Sequence, residues 1–482
     1  MNKTKYEVVI GLEVHAQLRT RTKIFCGCST EFGAPPNSEV CPVCLGLPGA
    51  LPVLNRQAVD YAIKAALACG CHVERESVFA RKNYFYPDLP KGYQISQYER
   101  PLARGGALNI TTNGVTRPIH LTRIHLEEDA GKSLHEGLVD SDRRTYVDYN
   151  RSGVPLIEIV SEPDMRSAAE AAEFFSRLRS VLVWLGVSDG NMEEGSLRCD
   201  GNVSVRPFGQ TTLGTKTEVK NVNSFRYIEK ALEYEITRQI DVIEGGGVVV
   251  QETRLWDSGR GRTYSMRSKE EAHDYRYFPE PDLPPLVVDE ARIDAVRASM
   301  PELPDARVRR FTADYGIPEY DAGVLTQSAA LADYFEAVAA EAGNPKAASN
   351  WIMGELLRVL NERGQTVADV SLTPAALAGL IALVDEGVIS SSIAKSVFAK
   401  MYDSRRSARS IVDEEGLAQI GDEGALSALV ADVLRTHGDA VAQYRSGKRQ
   451  TFGFLVGQVM KGTGGKANPK LASDLLKRAL ES

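Results

Sequence analysis

The segment VVIGLEVHAQL, from Val8 to Leu18, alternates apolar and polar residues, which predicts an extended strand with two unlike faces. One face carries the polar side chains of Glu13, His15 and Gln17. The other face is wholly apolar and consists of Val8, Ile10, Leu12, Val14, Ala16 and Leu18. The same alternation returns in RIHLEED, GNVSVRPF and GTKTEVKNV. We therefore predict a strand-rich region that extends to about residue 290.

The segment FPEPDLPPL, residues 278–286, contains four prolines and excludes a regular helix. Beyond it the apolar residues recur at the helical period. In one predicted helix Thr373 is the N-cap, Pro374 opens the first turn and Gly387 follows the end. Further helices are predicted over Ile393 to Met401, Gly424 to Arg435, Thr451 to Lys461 and Pro469 to Leu480, the last capped by Asn468. Strands followed by helices predict an α+β fold.

The composition is that of a globular protein with several domains: 482 residues, 43% hydrophobic and 25% charged. It excludes a disordered, collagen-like or membrane-spanning chain, and Glu13 and His15 interrupt the short apolar run that a secretory signal would need. The seven cysteines are too few for a disulfide scaffold, so we expect a reducing cytoplasm. The net charge of -7 argues against indiscriminate nucleic-acid binding, yet residues 443–482 include eight basic and two acidic side chains.

Four cysteines lie close together in the sequence: Cys26, Cys28, Cys41 and Cys44. Two turns that contain Gly and Pro can each present two sulfurs to one tetrahedral zinc ion. Because four protein ligands leave no open position, such a zinc ion would be structural. The alternative is that these cysteines are small buried residues without a ligand.

Glu13 and His15, two residues apart on one strand face, can bind one ion, although a polar row facing solvent is the commoner cause of such a pattern. Glu158 lies in PLIEIV, where both strand faces are apolar, and a buried carboxylate needs a cation or hydrogen-bond donors. Glu128 lies in RIHLEED, on what should be the inward face of its strand. Three strands that each deliver an acid to a protected surface predict a magnesium site, and His15 leaves manganese open.

The sequence contains no Walker-type phosphate loop, no nucleophile elbow and no protein-kinase motifs, so a nucleotide would have to bind by another route. The stretch RKNYFYPDLPKGYQISQ offers Lys82 as a phosphate contact and a set of aromatic platforms, Tyr84, Phe85, Tyr86 and Tyr93. Core packing explains such aromatic residues equally well. On further strands, Arg198, Asn202 and Lys220 can line the same cavity.

Long strings in one order along the chain closely resemble the B subunit of the tRNA-dependent Asp/Glu amidotransferases, the GatB family. They include VIGLEVHAQL, CPVCLGLPGALPVLN, RKNYFYPDLPKGYQISQ, HLEEDAGKS, GVPLIEIVSEPD, MEEGSLRCDGNVSVRP, TEVKNVNSF and DYRYFPEPDLPPL, followed by SNWIMGELL and GFLVGQVMKGTGGKANP. The resemblance covers essentially the whole chain. It implies a strand-rich cradle domain over residues 1–292, a helical domain over 293–408 and a small helical tail over 409–482 that contacts tRNA.

The resemblance also implies a reaction. Such a protein binds tRNA(Gln) misacylated with Glu, or tRNA(Asn) misacylated with Asp, phosphorylates the side-chain carboxyl with ATP, and lets ammonia displace the phosphate. Ammonia comes from glutamine that an amidase-type glutaminase, the A subunit, hydrolyses within a heterotrimer that a small C subunit completes. The family's magnesium ligands fall on Glu13, His15, Glu128 and Glu158, and its zinc ligands fall on Cys26, Cys28, Cys41 and Cys44.

Physical chemistry agrees with this division of labour, because a carboxylate is a poor electrophile until phosphorylation supplies a leaving group. The sequence lacks the glycine- and serine-rich signature of an amidase-type glutaminase, so ammonia would depend on a partner. Two other functions remain open at this point. One is a zinc-stabilised tRNA-binding scaffold without its own catalysis, and the other is a metal-dependent hydrolase that uses Glu13 and His15.

Overall fold

A computed structural model describes residues 5–134, 139–140, 143–268, 275–418, 423–463, 467 and 469–481. The chain forms two compact units, Met1–Leu303 and Pro304–Ser482. The first unit combines a large sheet with helices, and the described part of the second is helical, which confirms the predicted α+β class. The first unit extends past residue 292 to Leu303, and the divisions at 292 and 408 stay predictions.

The strands lie in the first unit. They are β1 (Tyr6–Gln17), β2 (His72–Val73), β3 (Glu76–Ser77), β4 (Phe79–Asn83), β5 (Tyr93–Gln97), β6 (Ala103–Arg104), β7 (Ala107–Thr112), β8 (Val115–Glu128), β9 (Lys132–Leu134), β10 (Tyr146–Asp148), β11 (Pro155–Ser161), β12 (Leu197–Pro207), β13 (Thr217–Lys220), β14 (Glu252–Asp257), β15 (Arg262–Ser268), β16 (Phe278–Pro279) and β17 (Leu286–Val287).

The main sheet has ten strands, in the order β15-β14-β13-β12-β1-β11-β8-β6-β2, with β7 paired to β8. Its neighbouring strands are antiparallel except β13 and β14, which run parallel. The predicted strand β1 therefore lies inside the sheet, between β11 and β12. A smaller sheet has the order β16-β4-β5.

Helices cover one face of the main sheet. They include α1 (Arg56–Ala68), α2 (Ala168–Trp184) and α3 (Phe225–Glu244), and α4 (Glu290–Ala298) closes the unit. α2 packs on β1 and β7, and α3 packs on β12. The apolar face of β1 belongs to the core that they form: Ile10, Leu12, Val14 and Ala16 are buried. Since side chains alternate along a strand, the polar residues of β1 point to the opposite face.

The second unit contains α5 (Pro304–Tyr315), α6 (Glu319–Leu325), α7 (Ala329–Ala342), α8 (Pro345–Trp351), α9 (Leu357–Arg363), α10 (Pro374–Asp385), α11 (Ser391–Ser404), α12 (Ala408–Glu414), α13 (Glu423–Thr436), α14 (Gly438–Arg445), α15 (Thr451–Gly462) and α16 (Pro469–Glu481). A π-helical segment, Ile352–Leu356, joins α8 to α9. The helices α13, α15 and α16 share a small core of their own.

The helix predicted after Thr373 is confirmed as α10. The Thr373 side chain accepts a hydrogen bond from the Ala376 backbone N–H at 3.2 Å, and Pro374 is the first helical residue. Gly387 follows the helix with φ +72°, a left-handed conformation that favours glycine. The predicted cap of the last helix, Asn468, lies outside the described residues. In the part of the chain that the structure describes, no helix is long and apolar enough to cross a bilayer.

Candidate functional site

The polar face of the main sheet is built by strand register. His15 of β1 lies opposite Arg198 of β12 on one side and opposite Glu158 of β11 on the other. Glu158 in turn lies opposite His125 of β8. Because directly opposed residues in antiparallel strands point to the same face, these four side chains form one row across the sheet.

A cluster of acids and imidazoles lies at the centre of this row. His15 Nε2 is 3.3 Å from a carboxylate oxygen of Glu158 and 3.7 Å from one of Glu127. His125 Nε2 is 3.5 Å from Glu158 and 3.8 Å from Glu127. Glu127, His125 and Glu158 are buried, and Ser96 of β5 donates a hydrogen bond to Glu127 at 3.2 Å. Ligand atoms of His15, Glu127 and Glu158 all lie within 4.8 Å of one another and can hold a metal ion.

The charged groups of this cluster shift one another's pKa values. Burial alone would raise the pKa of Glu158, but the charge and hydrogen bond of His125, together with His15, hold it well below its ordinary value. Burial lowers the pKa of His125, yet the charge of Glu158 and hydrogen bonds to both acids raise it to about 9. The pKa of His15 is likewise raised, against burial, by Glu158 and Glu127. Two buried carboxylates therefore stay ionised beside protonated imidazoles, and a metal ion bound there would take the place of the proton on His15.

Glu13 lies on the same polar face, one alternation before His15, and accepts a hydrogen bond from Asn202 at 2.9 Å. Burial raises its pKa, and the charges of Glu158, Glu218 and Asp200 raise it further. Burial and neighbouring acids disfavour the charged form of Glu13, and a cation bound nearby would stabilise that form.

Glu128 lies elsewhere. Its carboxylate binds the ammonium group of Lys91 and accepts a hydrogen bond from the backbone N–H of Ile95 at 2.8 Å. Glu128 and Lys91 line a cavity of about 200 Å³ that also contains Cys44 and Tyr93. The structure thus brings together His15 and Glu158, but with Glu127 rather than with Glu128.

Glu127 is the residue that sequence reasoning missed, although the alternation of β8 contained the signal. Ile124 and Leu126 are fully buried and belong to the core beneath the sheet. The intervening His125 and Glu127 must therefore point to the opposite face, which is the face that carries His15. The sequence predicts the site on the inward face of this strand. That assumption leads to Glu128 instead of Glu127.

The predicted cations on β12 and β13 have close carboxylate partners. Arg198 lies 2.9 Å from Asp129, a buried acid that also accepts from Gln17 at 2.8 Å. Lys220 lies 2.5 Å from Asp200 and 3.1 Å from Glu218. Each of these predicted cations is therefore paired with an acid.

Arg123 of β8 is held less closely. Its Nη2 is 3.9 Å from Glu158, and its Nε is 3.4 Å from His125 Nδ1. The side chain is partly exposed, so its guanidinium can contact an anion above the cluster. No pattern in the sequence singles this arginine out.

Lys82 and Tyr84 approach the cluster from the smaller sheet. The ammonium nitrogen of Lys82 lies 4.8 Å from the ring centre of Tyr275 and 5.8 Å from that of Tyr84. Burial lowers the pKa of Lys82, but the charge of Glu127 and the neighbouring tyrosines together raise it overall. Tyr93, another predicted platform, packs instead against the hydrophobic core and under Arg81, 4.1 Å from its ring centre.

The four predicted zinc cysteines come together. Their sulfur atoms lie within 4.8 Å of one another, and those of Cys41 and Cys44 are 3.9 Å apart. Sulfurs about 2.3 Å from a tetrahedral zinc ion are separated by about 3.8 Å, so this spacing fits the ion. The hydrogen bond from Cys26 lowers the pKa of Cys44 to about 5, with Lys23 contributing. Lys23 is fully buried, with Nζ 3.8 Å from Cys44 Sγ. The four thiols can hold a metal ion.

Comparisons with known proteins give the family of the chain. A sequence profile of the GatB/GatE catalytic domain matches residues 8–294, and a profile of the GatB domain matches residues 333–480. The B subunit of aspartyl/glutamyl-tRNA(Asn/Gln) amidotransferase from Thermodesulfovibrio yellowstonii is 57% identical over 477 residues, which is 99% of this chain and 100% of that protein. Proteins of the same name from Chlorobium chlorochromatii and Carboxydothermus hydrogenoformans are each 56% identical over 476 residues, 99% of this chain and of each relative. The chain therefore belongs to the GatB family of amidotransferase B subunits.

Proposed function

We propose that this chain activates and amidates misacylated tRNA. Its substrate is the side-chain carboxyl of Glu on tRNA(Gln), of Asp on tRNA(Asn), or of both, as the names of its relatives suggest. The observation that carries the proposal is the cluster of His15, Glu127 and Glu158 on the sheet face opposite the helices. A buried group of two carboxylates beside a histidine suits chemistry in which a divalent cation accompanies phosphate.

The reaction proceeds in two displacements. In the first, an oxygen of the substrate carboxylate attacks the terminal phosphorus of ATP, and the bond from that phosphorus to ADP breaks. In the second, ammonia attacks the carbonyl carbon, the bond from that carbon to the phosphate oxygen breaks, and a proton of the ammonia nitrogen passes to the phosphate, which leaves as the amide forms. Phosphorylation is needed because an oxide is a very poor leaving group.

The donors of the cluster fit a divalent cation. Magnesium prefers oxygen ligands, which Glu127 and Glu158 supply, whereas the His15 imidazole is less typical of magnesium and leaves manganese open. Such an ion supplies positive charge that offsets the negative charge on the transferring phosphoryl group. Glu13 can join from the same face, while Glu128 stays a candidate ligand through the family resemblance alone.

The basic side chains of the proposed site have two different roles. We infer that Lys82 and Arg123 contact phosphate oxygens, since Lys82 has no ion pair among the described residues and Arg123 is only 3.9 Å from Glu158 while its side chain is partly exposed. Arg198 and Lys220 instead position Asp129 and Asp200, with which they pair closely. Asn202, which orients Glu13, and Tyr84 beside Lys82 complete the proposed nucleotide site.

Partners supply the remaining parts of the reaction. We infer that ammonia is delivered by an amidase-type glutaminase, the A subunit, and that a small C subunit completes a heterotrimer in the cytoplasm. The relatives' designation as B subunits supports an assembly of several chains. Zinc at the four cysteines stabilises the loops around it and takes no part in the chemistry.

Trapping the activated carboxyl with hydroxylamine tests this function. The chain is reconstituted with the A and C subunits and supplied with Glu-tRNA(Gln), ATP, magnesium and hydroxylamine, without glutamine. We expect a tRNA-bound hydroxamate that requires ATP and magnesium and is lost in Glu158→Gln. If the chain is a tRNA-binding scaffold without catalysis, Glu158→Gln will form as much hydroxamate as the wild type.

A further inference from the structure

Five tyrosines of the first unit form a continuous row of rings, which we call the tyrosine strip. In spatial order they are Tyr86, Tyr84, Tyr275, Tyr277 and Tyr98. The first three contacts are edge to face, with ring centres 6.2, 5.9 and 6.1 Å apart. Tyr277 and Tyr98 are stacked, with ring centres 4.2 Å apart and planes within 6° of parallel.

Core packing does not account for this strip. None of its five rings belongs to the hydrophobic core of the first unit as far as the structure describes it, unlike the neighbouring Tyr93. Tyr86 and Tyr98, at the two ends, are each 47% exposed, and Phe85 beside Tyr86 is 79% exposed. Aromatic rings exposed at both ends of such a row are typical of a binding surface.

The middle of the strip reaches the candidate active site. Lys82 lies 4.8 Å from the ring centre of Tyr275 and pairs with Gln94 of β5, the strand from which Ser96 donates a hydrogen bond to Glu127 at 3.2 Å. Burial raises the pKa of Tyr277 to about 12, and the charges of Glu127 and Glu158 contribute in the same direction. The strip therefore connects the solvent to the cluster, with an ammonium group at the inner part.

We propose that the tyrosine strip binds the single-stranded 3′ end of the aminoacylated tRNA, by stacking of bases on its exposed outer rings, while Lys82 and Tyr84 at its inner part border the proposed nucleotide site. This inference rests on the proposed function, because the aminoacyl group is carried at that end and has to reach the cluster. Aromatic rings combined with a cation are the general means of binding single-stranded nucleic acid.

A mononucleotide such as ATP is the other source of a base. Such a nucleotide has one base, which can stack on one or two rings. The strip has five rings, joined by four successive contacts. The length of the strip thus favours a run of bases, and the experiment separates the two ligands.

A binding cycle with the reconstituted heterotrimer tests the proposal. The variants are the double substitution Tyr86→Leu with Tyr98→Leu, which removes the exposed rings, and its control, Tyr86→Phe with Tyr98→Phe, which keeps them. Each complex is titrated with intact tRNA and with the same tRNA lacking its last three nucleotides. We expect the wild type and the Phe control to bind intact tRNA about tenfold more tightly than shortened tRNA, and the Leu variant to bind both alike.

Three results would overturn the proposal. The first is equal binding of intact and shortened tRNA by the wild type. The second is a Leu variant that keeps the wild-type preference for intact tRNA. The third is a Phe control that behaves like the Leu variant, since stacking does not need the hydroxyl groups.

Steady-state kinetics show whether the tyrosine strip binds RNA or ATP. The Leu variant should raise KM for Glu-tRNA(Gln) about tenfold and leave KM for ATP unchanged. A rise in KM for ATP alone would assign the strip to the mononucleotide and refute the RNA proposal. The binding cycle needs no catalysis, so it tests the role of the strip independently of the proposed function. Absence of tRNA-dependent ATP use by the wild-type complex would refute the proposed function and leave the result of the binding cycle valid.

Discussion

His15 and Glu158 oppose each other directly across β1 and β11, and His15 Nε2 lies 3.3 Å from a carboxylate oxygen of Glu158. Their proximity depends on strand register, since a slip of one residue would turn one of the two side chains to the helix-covered face. The same register places His125 beside Glu158 from the other side. The core of the first unit, by holding the register of its central strands, thus also assembles the candidate active site.

Glu127→Gln should weaken magnesium binding more than Glu128→Gln does. A carboxylate oxygen of Glu127 lies 3.7 Å from His15, whereas Glu128 is bound to Lys91 and to the Ile95 backbone. We expect the magnesium concentration for half-maximal tRNA-dependent ATP hydrolysis to rise about tenfold or more in Glu127→Gln. A larger shift in Glu128→Gln would instead support the ligand assignment made from the family resemblance.

Cys44→Ser should release zinc. Cys44 is the buried member of the cysteine cluster, and its lowered pKa favours the thiolate that binds metal. Metal analysis of the purified protein should give about one zinc per chain in the wild type and much less in the variant. The control is Cys69→Ser, a fully buried thiol outside the cluster, which should retain the zinc. Zinc loss in the control, or retention in Cys44→Ser, would contradict the assignment.

Glu235→Gln should destabilise the first unit by about 3 kcal/mol. Glu235 of α3 is fully buried, and its carboxylate accepts hydrogen bonds from Arg238 at 2.6 Å and from Thr263 of β15 at 3.0 Å. Loss of its charge leaves the partly buried Arg238 without its main partner. The control is Glu233→Gln, an exposed position on the same helix, which should change the free energy of unfolding by less than about 0.5 kcal/mol. Denaturant titration of both variants measures the difference, and equal stabilities would contradict the prediction.

Lys470→Gln combined with Lys477→Gln should reduce the salt dependence of tRNA binding. Both lysines are exposed on α16, whereas Leu476 and Leu480 of that helix are buried in the small core of the tail. Deletion of α16 would therefore remove part of this core, and charge substitutions are the cleaner test. If both lysines contact phosphate, the slope of log Kd against log salt should fall by roughly 1 to 2. Lys230→Gln, on the exposed face of α3, is the control. An unchanged slope would place α16 outside the RNA interface.

The sequence predicted the fold class, the polar face of β1 and the cysteine cluster, because each depends on a local pattern. Alternation fixes which residues of one strand share a face, and short spacings bring cysteines of two turns together. What it could not predict is the pairing between distant strands. β11 even shifts its register against β8 after Val160, an irregularity that no local pattern reveals.

The tyrosine strip illustrates the same limit. Tyr84 lies in a stretch that already suggested aromatic platforms, but Tyr275 and Tyr277 come from a segment far along the chain. They meet because β16 pairs with β4, and such a contact between remote segments depends on tertiary structure. Similarly, the buried Lys23 reads as an ordinary surface lysine until the fold places it beside Cys44.

The central claim is that the cluster of His15, Glu127 and Glu158 supports activation of the carboxyl by ATP. The most direct measurement is tRNA-dependent phosphate release from ATP by the reconstituted heterotrimer, with wild type, Glu158→Gln and the exposed control Glu233→Gln compared at saturating magnesium. We expect the control to match the wild type and Glu158→Gln to fall at least about 100-fold with its affinity for tRNA unchanged, because several kcal/mol of charge stabilisation are lost. Phosphate release in Glu158→Gln at a rate near that of the wild type would contradict the account.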